Sequence, residues 1–164
     1  MHPFGYSVSL RVRHPSMDPR QISKALDLKP ESSQKAGEPK RTPAGRLLTG
    51  VYAHSYWCSV IPHPKRLQLS PFLESLLVRL APQRHFLARI SQGGGSAELF
   101  VGWYSGSNSG EELSWKLLKR LGELYLSLSL DVYASRSCRS RRRVVAPLPE
   151  SRPAANKDRK SKAQ

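Results

Sequence analysis

Apolar and polar residues alternate along separate segments of the chain with the two-residue period of a half-buried strand. In the first segment every second residue from Tyr6 to Val12 is apolar, and two serines and one arginine lie between them. The segment 51–61 is rich in β-branched and aromatic residues and has no cleanly polar face, which is typical of a central strand. The pattern predicts four strands, near residues 5–13, 51–61, 97–104 and 126–133.

Between these segments the apolar residues recur at helical spacing. This predicts helices near 19–26, 71–80 and 111–124, and a shorter helical segment after Pro82. The resulting order is β-α-β-α-(α)-β-α-β. It predicts an α+β two-layer domain with a four-stranded sheet and three to four helices packed mainly on one face.

Capping residues mark the predicted start of each long helix. Asp18 and Ser70 each precede a proline, the combination of an N-cap with proline at the first helical position. Ser109 and Glu112 have the three-residue spacing of a capping box. These signals place the helix starts at about residues 19, 71 and 111.

The alternation and the helical stripes together predict which side chains form the core. We expect ten of them to be mostly buried: Trp57, Phe72, Leu76, Leu77, Leu99, Val101, Leu117, Leu121, Leu128 and Leu130.

Two segments interrupt the pattern within the predicted domain. Residues 29–50 are rich in proline, glycine and polar residues, which predicts a long loop of the kind that often carries recognition. Gly93-Gly94-Gly95 lacks the lysine and Ser/Thr of a phosphate-binding loop, so we interpret it as a flexible connection between a helix and a strand.

All periodicity stops after Tyr133, and basic residues become frequent. The chain has a formal net charge of +15. The last 31 residues carry ten Lys+Arg against two Asp+Glu, which leaves +7 on the first 133 residues. We therefore expect a single domain over 1–133 and a disordered basic tail over 134–164, because too few apolar residues are present there to offset the entropy of ordering. Deleting residues 136–164 should then leave the melting temperature of the domain within experimental scatter.

Composition excludes several classes of protein. The two cysteines, Cys58 and Cys138, cannot form a disulfide framework or a four-cysteine zinc site. No apolar run approaches the roughly 18 residues that a membrane span needs, and the first residues do not resemble a secretory leader. We expect a bacterial cytoplasmic protein with no membrane association.

The sequence offers no catalytic, cofactor or metal site. Cys58 is best interpreted as a small core residue, and the five histidines lack the spacing of metal ligands. The acidic residues form no recognisable catalytic group. We therefore predict no enzymatic activity, no cofactor and no metal.

Two segments combine features that suit a nucleic acid. Three cations at Lys35, Lys40 and Arg41 adjoin the aromatic segment 52–57, although a core role for Trp57 is favoured. The tail concentrates positive charge more strongly, and its candidate nucleic-acid-binding residues are Arg136, Arg139, Arg141, Arg142 and Arg143.

The order of several short motifs resembles the bacterial domain-of-unknown-function 4279 family. The Asp-Pro helix ends in Leu26-Asp27-Leu28-Lys29-Pro30, Lys35-Ala36-Gly37-Glu38 follows, and a strand bearing Trp57 comes next. The resemblance covers about residues 6–133. The family has no assigned activity, so the resemblance supports the domain limits and supplies no catalytic residues.

These observations favour a non-enzymatic module that binds another protein, with the segment 29–50 as the recognition element. An immunity-type partner of a toxin is one specific version. The alternative is a nucleic-acid-associated protein whose arginine-rich tail supplies most of the affinity. The oligomeric state stays open.

Overall fold

The computed structural model describes residues 4–42, 44–64 and 67–134. These residues contain seven strands: β1 (Gly5–His14), β2 (Ser32–Gln34), β3 (Pro39–Arg41), β4 (Leu47–Val51), β5 (Ser55–Ile61), β6 (Ser96–Ser105) and β7 (Leu126–Ala134). They also contain α1 (Pro19–Leu26), α2 (Leu69–Leu80), a 3₁₀ turn (Ala81–Gln83), α3 (Arg84–Gln92) and α4 (Trp115–Glu123). The α+β class is confirmed. None of these helices is long and apolar enough to cross a bilayer.

Five strands form one mixed sheet in the order β2-β5-β1-β6-β7. β6 and β7 are parallel and α4 connects them, whereas the other pairs are antiparallel. β3 and β4 form a separate two-stranded hairpin. The prediction of four strands is therefore wrong in number: β2, β3 and most of β4 lie in the segment 29–50, and the predicted strand 51–61 is divided between β4 and β5.

The missed strands have a common physical reason. β2 and β3 contain three residues each, and almost all of their side chains are exposed. The main chain of β2 is held by a strand that is distant in sequence, with Ser33 opposite Trp57, and β3 is held by its hairpin partner β4. A hydrophobic pattern cannot reveal a strand that is specified by its partner's backbone rather than by a buried face.

The helices cover one face of the five-stranded sheet, which confirms that part of the prediction. This helix-covered face includes Val8, Leu10 and Val12 of β1, all of them buried. Trp57 of β5 lies opposite Val12 and is fully buried, and its indole Nε1 donates a hydrogen bond to Ser23 Oγ of α1 at 2.9 Å. The tryptophan therefore joins the sheet to the first helix.

The start of α1 agrees with its capping signal. Asp18 is the N-cap, and one of its carboxylate oxygens accepts from the backbone nitrogen of Arg20 at 2.9 Å. The other oxygen accepts from Lys35 Nζ at 2.9 Å. The hydrogen bond from Lys35, and then that from the Arg20 backbone, lowers the pKa of Asp18. This carboxylate links α1 to the segment that precedes the hairpin.

α2 begins two residues before the predicted start. Its N-cap position is Gln68, which makes no side-chain capping bond. Glu111, which lies about 40 residues later in the chain, takes the place of the missing cap. Its Oε1 accepts a hydrogen bond from the backbone nitrogen of Ser70 at 2.6 Å. The helix start is thus stabilised by a tertiary contact that the Ser70-Pro71 pair does not indicate.

α4 begins four residues after the predicted start. Ser114 is its N-cap and accepts from the backbone nitrogen of Leu117 at 3.2 Å. The capping box of Ser109 and Glu112 does not form. Ser109 Oγ instead accepts from the indole Nε1 of Trp103 at 3.0 Å, so the tertiary partner is used in place of the local one.

Eight of the ten predicted core residues are buried, Leu128 is half-buried, and Leu130 is 54% exposed, which contradicts the prediction for that residue. β7 lies at the edge of the sheet, and only Leu124 and Tyr125 separate its first residue from the end of α4. Helix and strand have nine residues each, and a strand rises more than twice as far per residue, so the end of β7 extends beyond α4. Leu130 and Val132 line an open cleft of about 510 Å³ beside Trp103.

Candidate functional site

The predicted site in the tail lies outside the described residues, since Arg136, Arg139, Arg141, Arg142 and Arg143 all follow Ala134. Ala134 belongs to β7, and the predicted disorder of the residues after it and its effect on stability stay predictions. Within the described part of the chain, no cluster of His, Cys, Asp or Glu could hold a metal ion. Two surfaces of the described residues carry features that a stable domain does not require.

The first surface is the hairpin β3–β4, which forms within the predicted loop 29–50. Every described residue of both strands is exposed, and Leu47, Leu48 and Val51 present at least half of their surface to solvent. An isolated two-stranded hairpin is at best marginally stable in water. Three exposed branched apolar side chains therefore need a reason other than the packing of this domain.

Hydrogen bonds nevertheless give the hairpin a defined shape. Tyr52 is central, because its hydroxyl accepts from the Arg41 backbone nitrogen at 3.1 Å and its own backbone nitrogen donates to Glu38 O at 3.0 Å. At the base, the Ala36 nitrogen donates to Ser55 Oγ of β5 at 3.0 Å. The hairpin is thus tied to the main sheet.

A cleft of about 440 Å³ lies between the hairpin and the sheet. Its lining includes the cations Lys40 and Arg13 and the aromatic residues Tyr52 and Tyr56. Of the cations predicted from the sequence, Lys40 therefore does adjoin aromatic side chains. Lys35 instead pairs with Asp18, and Trp57 belongs to the core. The favoured interpretation of Trp57 as a core residue is confirmed.

The second surface is the open face of the five-stranded sheet, which lies opposite the helices. On this face Arg11 lies flat on an aromatic ring: its guanidinium carbon is 3.3 Å from the ring centroid of Phe100. The guanidinium carbon of Arg13 is 5.8 Å from the ring centroid of Tyr56. Two cations of one strand thus stack on aromatic residues of its two neighbours, β6 and β5.

Tyr104 lies along the sheet rather than pointing away from it. A Cβ added to Gly102 would be 2.9 Å from Tyr104 Oη, so the glycine provides the space for the tyrosine to fold back. Tyr104 Oη is also 3.3 Å from Ser7 Oγ, within hydrogen-bond distance. One side of the ring therefore packs on the sheet, and 44% of the residue stays exposed.

Tyr133 of β7 extends this aromatic surface to the edge of the sheet. Its ring is stacked with that of Tyr104 at a centroid distance of 5.0 Å and an interplanar angle of 13°. The hydroxyl of Tyr133 donates to Asp131, which raises the pKa of Tyr133. Burial raises the pKa of Tyr56. Both phenols therefore stay neutral near pH 7 and add no negative charge to the open face.

Reasoning from the sequence missed the open face. The alternation predicts β1 only as a half-buried strand, and it predicts a strand near 97–104 without showing what its side chains contact. Only the strand order places Arg11 beside Phe100 and Tyr104 beside Tyr133. The sequence does contain one signal for this face. Phe100, Tyr104 and Tyr133 are aromatic residues at the polar positions of the alternation in β6 and β7.

One comparison with known proteins identifies the family of the chain. The sequence profile of a domain of unknown function (DUF4279) matches residues 4–135. The chain belongs to this family. The resemblance seen in the short motifs is thereby confirmed, and the DUF4279 match covers every residue of both surfaces described above. No curated protein and no solved structure matches the chain significantly.

Proposed function

We propose that this DUF4279 protein is a non-enzymatic binding module whose partner is another protein, and that the hairpin β3–β4 is its recognition element. The observation that carries the proposal is the exposure of Leu47, Leu48 and Val51 on a hairpin held in place by hydrogen bonds at its base. A preformed element loses little conformational entropy on binding. Exposed apolar side chains supply the area that association buries.

The charges around the hairpin specify the chemistry of the partner. Lys40, Arg41 and Arg46 are exposed on or next to its strands. A partner surface with an apolar groove and an acidic rim would complement them, because rim charges accelerate encounter and select against wrong partners. An immunity-type role is a narrower version of this proposal, and the basic hairpin fits it only for a toxin with an acidic contact surface.

Replacing Leu47, Leu48 and Val51 with serine should abolish capture of the partner. We expect the full-length protein to recover a specific protein from the native cell extract and the triple variant to lose it. Calorimetry with the purified partner should show at least about 100-fold weaker binding, since fully burying one leucine or valine side chain contributes about 1.5–3 kcal/mol. Val78→Ser is the matched control, because Val78 is an exposed apolar residue on α2, away from the hairpin.

Two outcomes contradict the proposal. One is equal recovery of the partner by the wild type and the triple variant. The other is a concentration-dependent dimer that the triple variant abolishes, because the hairpin would then contact a second copy of this chain. Sedimentation analysis of both proteins separates this case from binding to a different protein.

Association with nucleic acid through the tail is the second candidate. One observation favours it: β7 ends at Ala134, next to the aromatic surface of Tyr133, and Arg136 follows two residues later in the sequence. Chain connectivity alone keeps the cluster up to Arg143 within about 30 Å of this strand end.

A chain ending at Tyr133 should bind nucleic acid much more weakly than the full chain at physiological salt. It lacks ten Lys+Arg and two Asp+Glu, and electrostatic affinity falls with each lost phosphate contact. Fluorescence anisotropy with a labelled oligonucleotide, measured at several salt concentrations, tests this. Equally weak binding by both chains at physiological salt would exclude a role for the tail.

A further inference from the structure

The open face of the sheet carries two arginines that form no ion pair with the described residues. Ion pairs among the described residues are Lys35–Asp18 and Lys119–Glu123, so neither Arg11 nor Arg13 belongs to one. Arg11 Nε is also buried without a hydrogen-bond partner in this part of the chain. An unpaired guanidinium on a protein surface is suited to an anionic ligand.

Glu98 and Asp131, two acidic residues of the open face, accept hydrogen bonds from hydroxyl groups of β7. Glu98 lies opposite Arg11 in the register of β1 and β6, but its carboxylate accepts from Ser129 Oγ at 2.6 Å. Asp131 accepts from the hydroxyl of Tyr133. Both carboxylates bond to hydroxyl groups of β7, and among the described residues neither forms an ion pair with Arg11 or Arg13.

The open face also has the dimensions of an extended ligand. From Ser96, opposite Arg13, to Tyr104 the sheet runs about 27 Å along β6, and β5 to β7 span about 14 Å. The arginines lie toward one end and the stacked pair Tyr104–Tyr133 lies at the other. An elongated ligand with repeated anionic and aromatic groups would contact both ends.

We propose that the open face binds single-stranded nucleic acid, with bases stacked on Tyr104 and Tyr133 and phosphates held by Arg11 and Arg13. This extends the nucleic-acid candidate from the tail to the folded body and is independent of the hairpin's partner. Exposed aromatic rings on a sheet stack unpaired bases, whereas a duplex keeps its bases inside. A protein ligand would leave the unpaired arginines without regularly spaced anions.

The test measures anisotropy of a labelled pyrimidine oligonucleotide of about ten nucleotides with the full-length protein. Tyr104→Leu combined with Tyr133→Leu should weaken binding about 10-fold or more, because each base stack contributes on that scale. Tyr125→Leu is the matched control, since Tyr125 has a similar exposure of 41% on the helix side. Melting curves show whether each variant is folded, and Tyr133→Leu alone serves if the double variant is not.

The arginines require a control of equal charge. Arg11→Gln combined with Arg13→Gln should reduce the slope of log affinity against log salt by roughly 1.4, which corresponds to two phosphate contacts on a single strand. Arg20→Gln combined with Arg79→Gln removes the same charge from exposed helical positions, and we expect it to change the slope much less.

Three results would overturn the proposal. The first is equal affinity of wild type and tyrosine variants, and the second is equal affinity for a duplex of the same sequence. The third is inorganic polyphosphate competing as strongly as the oligonucleotide, since it offers charge without bases. The chain ending at Tyr133 separates the two nucleic-acid candidates: binding that is weaker but still sensitive to Tyr104→Leu supports the open face even if the tail contributes.

Discussion

Replacing Trp57 with alanine should lower the free energy of unfolding by about 3–5 kcal/mol, the range for large aromatic truncations in a core. Trp57 is fully buried. β5 is paired with β1 on one side and β2 on the other, so its backbone cannot move to fill the cavity. The change also leaves Ser23 Oγ without its donor. Urea denaturation followed by far-UV circular dichroism measures the effect.

Two further variants separate the effect of the lost core volume from the effect of the lost hydrogen bond. Trp115→Ala is the control for composition: Trp115 is 69% exposed at the start of α4, and we expect a change within about 0.5 kcal/mol. Ser23→Ala keeps the indole and removes its acceptor, which should cost about 1–3 kcal/mol for an unsatisfied buried N–H. A loss below 1 kcal/mol for Trp57→Ala would show that this side chain does not anchor the core.

Gly95→Ala should destabilise the domain by about 2–3 kcal/mol, because the added methyl group has no space. A Cβ at this position would lie 2.6 Å from the Arg13 carbonyl oxygen and 2.8 Å from His14 Cδ2. The carbonyl cannot move away easily, since Arg13 pairs with both β5 and β6. The interpretation of the three glycines as a flexible connection therefore misses the close packing of Gly93 and Gly95 against His14.

Gly122→Ala is the matched control for the same chemical change. A Cβ at Gly122 meets no atom within 4 Å, and the residue lies inside α4. Alanine there should raise stability by about 0.5–1 kcal/mol, because it reduces the backbone entropy lost in the helix. Thermal and urea unfolding of both variants give the comparison. Equal effects of the two substitutions would contradict the packing argument for Gly95.

Features that depend on neighbouring residues could be predicted well from the sequence. Asp18 caps α1 as expected, and the alternation in 5–13 gives the buried side of β1 correctly. The predictions are wrong where a distant residue competes with a local one for a hydrogen bond. Ser109 bonds to Trp103 rather than closing a capping box, and Glu111 takes over the start of α2.

The candidate surfaces show the same division. The proline, glycine and polar content of 29–50 predicts a candidate recognition element. It does not predict the hairpin, because β3 and β4 bury no face that would leave a pattern. Leu130 was expected in the core, since alternation marks a face as apolar without showing where the covering helix ends.

By itself the sequence determined the α+β class, the periods of the main helices and strands, most of the core and the DUF4279 membership. These depend on side-chain periodicity and short motifs, which are properties of contiguous residues. The tertiary structure decided the register of β5, β1, β6 and β7, and with it the stacking of Arg11 on Phe100 and of Tyr104 on Tyr133. Register is set by pairing between segments up to about a hundred residues apart, where a shift of one residue moves every side chain to the opposite face.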